Sequence, residues 1–172
     1  MEIFRQINTI PSYTESIVTI GTFDGCHRGH QDIIKKVIYN AQLKNSKSIL
    51  ITFDPHPRHI LQPENKIPML MHIERKLNFL KSFNLDAVLV IPFDMTFSKV
   101  SAYDFLNDII LGRLNATRII VGHDHHFGFN REGSPDFLEK LSAEKNYQVE
   151  IVEPIKDSDM IISSTRIRES IQ

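Results

Sequence analysis

The sequence predicts an α/β fold built on a five-stranded parallel sheet with helices on both faces. Short runs rich in Ile, Val and Leu alternate with amphipathic helical patterns along all 172 residues, and this alternation implies right-handed βαβ crossovers. Each run is almost continuously apolar, as expected of strands that are buried on both faces. The predicted strands are Ser16–Gly21, Ser48–Phe53, Ala87–Ile91, Arg118–Gly122 and Gln148–Val152.

Apolar residues spaced three and four apart predict helices between these strands. Ser134 and Pro135 are typical of an N-cap and a first helical position. The predicted helices are Gln31–Lys44, His72–Phe83, Ser101–Leu114 and a fourth that begins at Ser134-Pro135. The longest irregular segments are Asp54–Met71, His123–Gly133 and Glu153–Ile162. Each follows the carboxyl end of a predicted strand, which is where open α/β sheets bind ligands.

Composition narrows the functional classes. A net charge of -1 gives no global basic field for binding nucleic acid. No apolar run approaches the roughly 18 residues of a membrane span, and the N-terminus lacks the apolar core of a signal peptide, so we expect a cytoplasmic location. The single cysteine, Cys26, excludes an internal disulfide. We expect it to pack beside its loop, with a reactive thiol as the alternative.

Two histidines stand between the first predicted strand and the first predicted helix, in the stretch Gly21-Thr22-Phe23-Asp24-Gly25-Cys26-His27-Arg28-Gly29-His30. A helix N-terminus favours anions, and glycines allow a phosphate to approach the backbone closely. Imidazoles can donate hydrogen bonds to a triphosphate and to charge that develops on a transferred phosphorus. In a sheet of order 3-2-1-4-5, this stretch and the loop after the fourth predicted strand would border the same crevice.

A second candidate phosphate site lies near the C-terminus, in Ile162-Ser163-Ser164-Thr165-Arg166-Ile167-Arg168. Ser163 or Ser164 can cap a helix. Hydroxyl and N–H groups at that helix start suit a phosphate, and Arg168 offers a fork of donors to phosphate oxygens. The alternative is a capped surface helix with exposed arginines.

Four blocks occur in one order: Gly21–His30, Thr52–Pro57, Val121–Gly128 with Arg131 and Gly133, and Ile162–Arg168. Over essentially the whole chain, this combination closely resembles the N-terminal FMN adenylyltransferase module of the prokaryotic bifunctional riboflavin kinase/FMN adenylyltransferases. The resemblance implies a Rossmann-like nucleotidyltransferase fold. It also implies the reaction of ATP with FMN to give FAD and pyrophosphate, with Mg²⁺ held by the ATP phosphates and no protein ligand assigned to a metal.

The resemblance also implies roles for individual residues, with direct in-line attack of the FMN phosphate on the α-phosphorus of ATP. The implied catalytic residues are His27, His30 and Arg168. The implied ATP contacts are Gly21, Phe23, Asp24, Gly29, Ser163, Ser164 and Thr165. The implied FMN contacts are Asp54, Pro55, His56, Pro57, Asp124, Phe127 and Arg131. Because the FMN phosphate is already a nucleophile, positioning and charge neutralisation would supply most of the catalysis.

The chain departs from the family pattern in three places. His125 and His126 replace an aromatic and a basic residue that are common after Asp124, and Leu61 and Asn65 stand where an aromatic residue and an acid are frequent. The riboflavin kinase module that normally follows is expected to be absent, with residues 1–172 forming a single adenylyltransferase domain. The sequence leaves the oligomeric state open.

Other functions remain open. His-x-Gly-His alone occurs across the nucleotidyltransferases, so the acceptor could be nicotinamide mononucleotide, phosphopantetheine or a cytidylyl acceptor. A non-catalytic flavin- or nucleotide-binding module and a metal-dependent phosphoesterase are further alternatives, and His123, His125 and His27 could bind zinc. We interpret His56 and His59 as polar contacts within their loop. Three aromatic residues are assigned to core or lid packing rather than to stacking on flavin: Phe93, Phe97 and Phe105.

Overall fold

Six parallel strands form one sheet in the computed structural model, which describes residues 1–158 and 160–171. In chain order they are β1 (Glu2–Phe4), β2 (Ser16–Ile20), β3 (Lys47–Asp54), β4 (Ala87–Pro92), β5 (Ala116–Gly122) and β6 (Gln148–Val152). Their order across the sheet is β1-β4-β3-β2-β5-β6. The predicted order of the five long strands is therefore confirmed, and the direction of winding reverses between β2 and β5.

The prediction of five strands is wrong by one. The additional strand, β1, has three residues and pairs in parallel with β4 at the edge of the sheet, with Glu2 opposite Ala87. A run this short shows neither alternation nor a continuous apolar stretch, so the pattern that identifies the other strands does not reach it.

Helices occupy the predicted intervals with shifted ends. They are α1 (Arg28–Lys44), α2 (Pro57–Leu61), α3 (Ile73–Lys81), α4 (Ala102–Asp104, continuing as a π-helical segment over Phe105–Arg113), α5 (Pro135–Lys145) and α6 (Ser164–Ile171). Because α1 begins at Arg28 rather than Gln31, Gly29 and His30 lie in its first turn. The segment predicted as irregular after β3 contains α2. A short antiparallel pair, β7 (Lys156–Asp157) and β8 (Met160–Ile161), precedes α6.

The core consists of two apolar layers, one on each face of the sheet, which confirms helices on both faces. Val18 and Ile20 of β2 pack in the layer that includes α4, its π-helical continuation and α5. Ile17, which points the other way, packs with α1 and α3. Within residues 1–158 and 160–171, no helix is long and apolar enough to cross a membrane.

Candidate active site

A cleft of about 660 Å³ opens over the carboxyl ends of the strands, at the point where the winding reverses. The segments that follow β2, β3, β4, β5 and β6 form its walls, together with the start of α6. The predicted site residues that line it are Gly21, Phe23, His27, Gly29, His30, His56, Pro57, Asp124, Phe127, Arg131, Ser163, Ser164 and Thr165. Four others lie outside its lining: Asp24, Asp54, Pro55 and Arg168.

The β2–α1 turn, residues 21–27, has an unusual backbone. Phe23, Gly25 and Cys26 have φ values of 48°, 77° and 41°, in the left-handed region that non-glycine residues rarely adopt. A side chain at Gly25 would also bring its Cβ within 2.9 Å of Leu70 Cδ1. A conformation this unfavourable persists only where the surroundings determine it, and such turns occur mostly at functional sites.

Side chains from three other elements hold the carbonyl groups of this turn. Lys76 of α3 donates through Nζ to the Thr22 carbonyl at 2.7 Å, and Thr52 of β3 donates to the same oxygen at 3.1 Å. Ser164 at the start of α6 donates to the Asp24 carbonyl at 2.9 Å. These bonds orient the Thr22 carbonyl toward β3 and α3 and the Asp24 carbonyl toward α6.

Cys26 belongs to the same bonding pattern. Its backbone N–H and its thiol both donate to the Phe23 carbonyl, at 3.2 and 3.3 Å, and its own carbonyl accepts from Gln31 Nε2 at 2.9 Å. Burial raises the pKa of the Cys26 thiol to about 11. The expectation that Cys26 packs beside its loop is confirmed, and a thiol kept protonated gives no support to the reactive alternative.

His27 and His30 form a stacked pair at the start of α1. Their ring centroids are 3.7 Å apart with an angle of 21° between the planes, and His30 also meets the edge of Phe23 at 5.1 Å. A Cβ at Gly29 would lie 3.4 Å from the His27 ring, an ordinary van der Waals distance. The Nδ1 atoms of both rings are buried and make no hydrogen bond within the described residues.

Burial keeps both histidines neutral at physiological pH. It lowers the pKa of His30 to about 3, with further lowering by His27 and Lys76. Burial also lowers the pKa of His27, while Asp124 and Asp24 oppose that effect. A neutral imidazole carries one donor and one acceptor nitrogen. The pair can therefore donate hydrogen bonds without placing two positive charges in contact.

The N-terminus of α1 has the features of an anion site. His27 is the N-cap residue, and its side chain makes no capping bond. The first turn contains no acidic residue, and Arg28 is its first residue. The first N–H groups of a helix without a cap are available to a ligand, and the helix dipole favours negative charge there. This N-terminus lies beside the stacked histidines at the cleft.

Asp24 and Arg168 are joined in a buried ion pair beneath the turn. The Asp24 carboxylate is 1% exposed and accepts from Arg168 Nη2, from Leu70 N at 3.2 Å and from Met71 N at 3.0 Å. Arg168 Nε also donates to the Pro68 carbonyl at 2.8 Å. In this structure both side chains, which the sequence suggested as ligand contacts, bind other parts of the protein and link α6 to residues 68–71.

The opposite side of the cleft is aromatic. Phe53, Phe93, Phe97, Phe105 and Phe127, here called the aromatic wall, form a continuous cluster that lines the cleft. Successive ring centroids lie 5.7 to 6.0 Å apart from Phe53 through Phe93 and Phe97 to Phe105, and Phe105 lies 5.7 Å from Phe127. Core packing is confirmed for Phe105 and for Phe97, which packs against the same core cluster. Phe93 lies outside that cluster, and all three rings also line the cleft.

His125 lies against the aromatic wall. Its ring stacks on Phe127 at a centroid distance of 5.6 Å and an angle of 24°. Burial lowers the pKa of His125 to about 4, so the ring is neutral at physiological pH. Its Nε2 is buried and has no hydrogen-bond partner among the described residues. His125 therefore adds an unused polar atom to a cleft wall that is otherwise apolar.

The β5 loop, residues 123–133, carries the exposed polar groups of the cleft. Reciprocal backbone hydrogen bonds of 2.9 Å join Phe127, within the loop, to Gly133 at its end. The Asp124 side chain is 80% exposed. Arg131 Nη2 lies 3.2 Å from His126 Nδ1. A carboxylate, an imidazole and a guanidinium thus face solvent at the mouth of the cleft.

The segment after β3 places a short helix beside the same wall. His56 is the N-cap of α2, where its Nδ1 accepts from Arg58 N at 3.1 Å. His59 Nε2 bonds the Ile67 carbonyl at 2.8 Å. The interpretation of both histidines as polar contacts within their loop is confirmed, and His56 also lines the cleft.

Sequence patterns did not predict two features of the site. Lys76 supports the β2–α1 turn, and its only signal is a lysine in the apolar stripe of α3, between Ile73 and Leu77. The aromatic wall joins residues from four separate segments, so no local spacing reveals it. The zinc alternative gains no support, because residues 1–158 and 160–171 contain no group of three His, Cys, Asp or Glu side chains able to hold a metal ion.

Comparison with known proteins agrees with this geometry. A bifunctional riboflavin kinase/FMN adenylyltransferase of Buchnera aphidicola subsp. Acyrthosiphon pisum is 33% identical over 172 residues, which cover 99% of this chain and 55% of that protein. The protein of the same name from Escherichia coli K12 is 27% identical over 173 residues, with the same coverage. The chain spans about half the length of the curated relatives it matches.

A solved structure supports the fold. A crystal structure described as a macrolide-efflux protein from Streptococcus pneumoniae superposes with a TM-score of 0.85 at 26% identity, covering 98% of this chain and 55% of the other. The family model described as FAD synthetase matches residues 9–166, a range that contains the β2–α1 turn, the aromatic wall and the start of α6. The chain therefore belongs to the FAD synthetase family.

Proposed function

We propose that this chain is an FMN adenylyltransferase, which transfers AMP from ATP to FMN and releases pyrophosphate. The observation that carries the proposal is the placement of the stacked His27–His30 pair, at a helix N-terminus without a side-chain cap, in the same cleft as an aromatic wall. The first arrangement suits a triphosphate and the second suits a flat ring system such as a flavin.

On the nucleotide side, the N–H groups of the first turn of α1 would bind the ATP phosphates. His27 and His30 lie within that turn or directly before it. Their neutral rings would donate hydrogen bonds to phosphate oxygens, and negative charge that develops in the transition state would strengthen those bonds. Ser163, Ser164 and Thr165 line the adjoining wall, where hydroxyl and backbone N–H groups could bind the same nucleotide, together with Gly21 and Phe23.

On the acceptor side, the aromatic wall would contact the flavin ring, with His56 and Pro57 at one edge and Asp124 and Arg131 at the mouth. Burial of apolar surface would supply affinity, and the few polar groups would set orientation. Because FMN carries its own phosphate nucleophile, the protein has to align that phosphate with the α-phosphorus of ATP. The thiol of Cys26, which stays protonated, is not required for this reaction.

We propose positioning roles, rather than ligand contacts, for Asp24 and Arg168. Their mutual ion pair and the bonds to Leu70, Met71 and Pro68 occupy both side chains. Asp54 and Pro55, which lie outside the cleft lining, would act by directing the chain from β3 into α2. The two histidines then remain the residues in contact with the reacting phosphates.

The described residues fit Mg²⁺ bound through ATP. Mg²⁺ usually keeps several waters and binds through substrate phosphates with one or two carboxylates, and Asp124 offers an exposed carboxylate in the cleft. The ion would neutralise phosphate charge when bound with ATP. The protein would contribute the N–H groups of α1 and the imidazoles of His27 and His30.

The wider setting is also a proposal. The relatives carry riboflavin kinase in their names and are nearly twice as long as this chain, so we propose that residues 1–172 form the adenylyl-transferring domain, to which a riboflavin kinase domain normally attaches. We further propose that it works in the cytoplasm on ATP and FMN, without nucleic acid or membrane partners.

The test is incubation of the purified chain with ATP, Mg²⁺ and FMN, followed by chromatography for FAD. We expect FAD and pyrophosphate in equal amounts. Nicotinamide mononucleotide and phosphopantetheine, tested in parallel, should not be adenylylated. Turnover of either one without FAD formation would refute the flavin assignment while leaving nucleotidyl transfer in place. Riboflavin with ATP should give no FMN.

A further inference from the structure

Lys76 is the one lysine on the buried face of α3. It is 3% exposed and belongs to a helical stripe otherwise formed by Ile73, Leu77 and Leu80. Lysine is almost never buried without a partner, because removing an ammonium group from water is costly. A lysine at such a position therefore calls for a specific explanation.

The partners of Lys76 are neutral. Its Nζ donates to the Thr22 carbonyl at 2.7 Å and to Thr52 Oγ1 at 3.1 Å. No carboxylate forms a salt bridge with it among the described residues. Burial lowers the pKa of Lys76, while Cys26, Asp24 and Asp54 oppose that effect. The amine thus gives up hydration to hold one backbone carbonyl of the β2–α1 turn.

That carbonyl precedes the strained part of the turn. Thr22 is followed by Phe23, Gly25 and Cys26 with positive φ, and then by the stacked histidines. The peptide plane between Thr22 and Phe23 sets the direction in which the chain enters this sequence of unfavourable conformations. A shift in that plane would be passed on to His27 and the N-terminus of α1.

We propose that Lys76 is a positioning residue for nucleotidyl transfer, whose buried amine fixes the Thr22–Phe23 peptide and thereby the placement of His27 and His30. The residue lies outside the cleft lining and does not contact substrate. It acts from beneath the turn, and its effect should fall on the nucleotide side of the cleft. The proposal rests on the proposed function for its catalytic readout, but nucleotide binding tests it separately.

Two substitutions separate the hydrogen bond from the charge. Lys76→Met keeps most of the side-chain volume and removes the donor, whereas Lys76→Gln keeps a neutral donor. Leu80→Ala is the matched control, because Leu80 lies one turn along the same buried face and makes no hydrogen bond to the turn. Each variant is assayed at a temperature below its own melting transition, so that all proteins compared are folded.

We expect Lys76→Met to lower kcat/KM for ATP by about 10- to 100-fold, the range that a small displacement of catalytic groups produces. The KM for FMN should change by less than about threefold, and Lys76→Gln should retain more activity than Lys76→Met because a donor to Thr22 remains. Leu80→Ala should lower the melting temperature yet keep kcat/KM for ATP within about twofold.

Folded Lys76→Met with wild-type kcat/KM for ATP would overturn the proposal. So would an equal loss in Leu80→Ala, because the effect would then be general destabilisation. If Lys76→Met does not fold, the same comparison is made between Lys76→Gln and Leu80→Ala.

A binding measurement separates this inference from the proposed function. Calorimetry gives the Kd of the protein for the Mg²⁺ complex of α,β-methylene-ATP, and this measurement needs no FMN. A wild-type chain that binds this analogue but makes no FAD refutes the proposed function, while weaker binding by Lys76→Met still supports the inference.

Discussion

On one side of the cleft, the β2–α1 turn is held by directed bonds from distant parts of the chain. Lys76, Thr52 and Ser164 reach its carbonyls from α3, β3 and α6. On the other side, the aromatic wall is held by packing of one ring against the next, and the β5 loop closes on itself through backbone bonds.

The difference corresponds to what each side would bind. Phosphates require hydrogen-bond donors at fixed positions, so a turn whose backbone is held by hydrogen bonds from several elements suits them. A flat ring system requires apolar area and a few polar atoms for orientation. The packed aromatic residues offer the first, and the Nε2 atom of His125, which has no hydrogen-bond partner among the described residues, offers the second. We therefore expect substitutions on the first side to reduce the chemical step and substitutions on the second to change acceptor affinity.

The largest effect is expected from His27→Ala and His30→Ala. Under the proposed function each substitution would remove a donor to the transition state, and kcat should fall by about 10²- to 10⁴-fold. The Kd for FMN, measured by quenching of flavin fluorescence, should stay near the wild-type value. Parallel losses in kcat and FMN affinity would show that the two sides of the cleft are not independent.

Asp24→Asn tests the anchoring of the turn from below. The change leaves Arg168 buried without a carboxylate, and we expect the free energy of unfolding to drop by about 3 kcal/mol. Glu74→Gln is the control, because the Arg5–Glu74 pair is exposed and should contribute less than about 1 kcal/mol. Denaturant titrations of both variants measure the contrast, and equal losses would contradict a special role for Asp24.

Acid should destabilise the protein through histidines on both sides of the cleft. Burial lowers the pKa of His30 to about 3 and the pKa values of His56 and His125 to about 4. Their stabilising contribution is complete above the ordinary histidine pKa of about 6.5 and is lost as pH falls toward these folded values.

Thermal or denaturant unfolding between pH 7 and pH 4 measures this loss. Each of the three histidines should contribute about 1.4 kcal/mol per pH unit where only the unfolded chain is protonated. Replacement of His125 by Phe should make the pH dependence shallower. A stability that is constant from pH 7 to pH 4 would contradict the burial of these rings.

His125→Phe sharpens the comparison on the acceptor side. The ring stacks on Phe127 and leaves Nε2 without a partner among the described residues, so Phe keeps the stacking and removes the polar atom. We expect KM for FMN to change by about 3- to 10-fold, the effect of one hydrogen bond, with KM for ATP unchanged. A change in KM for ATP without a change in KM for FMN would contradict the assignment of His125 to the acceptor side of the cleft.

The smallest effect is expected at Cys26. Burial and a raised pKa of about 11 keep the thiol protonated, so a maleimide should label the native chain far more slowly than the unfolded chain. Cys26→Ser should retain most of the activity, because the hydroxyl can still donate to the Phe23 carbonyl. Rapid native labelling with loss of activity would revive the reactive-thiol interpretation.

Sequence patterns predicted much of the fold and part of the candidate site. Apolar runs located the five long strands, and Ser134 marked a helix start as a capping residue. Local patterns could not locate β1, which is three residues long and depends on its pairing with β4. They also could not separate ligand contacts from internal anchors, because Arg168 looks the same in sequence whether it binds a phosphate or Asp24.

The most direct test uses ATP in which sulfur replaces one non-bridging oxygen of the α-phosphate, so that the α-phosphorus is a stereocentre of known configuration, with FMN as acceptor. Direct in-line transfer between the two sides of the cleft predicts sulfur-labelled FAD with inverted configuration at that phosphorus. Phosphorus NMR of the product reads the configuration. Failure to form FAD, or FAD with retained configuration, would contradict a single transfer from ATP to FMN.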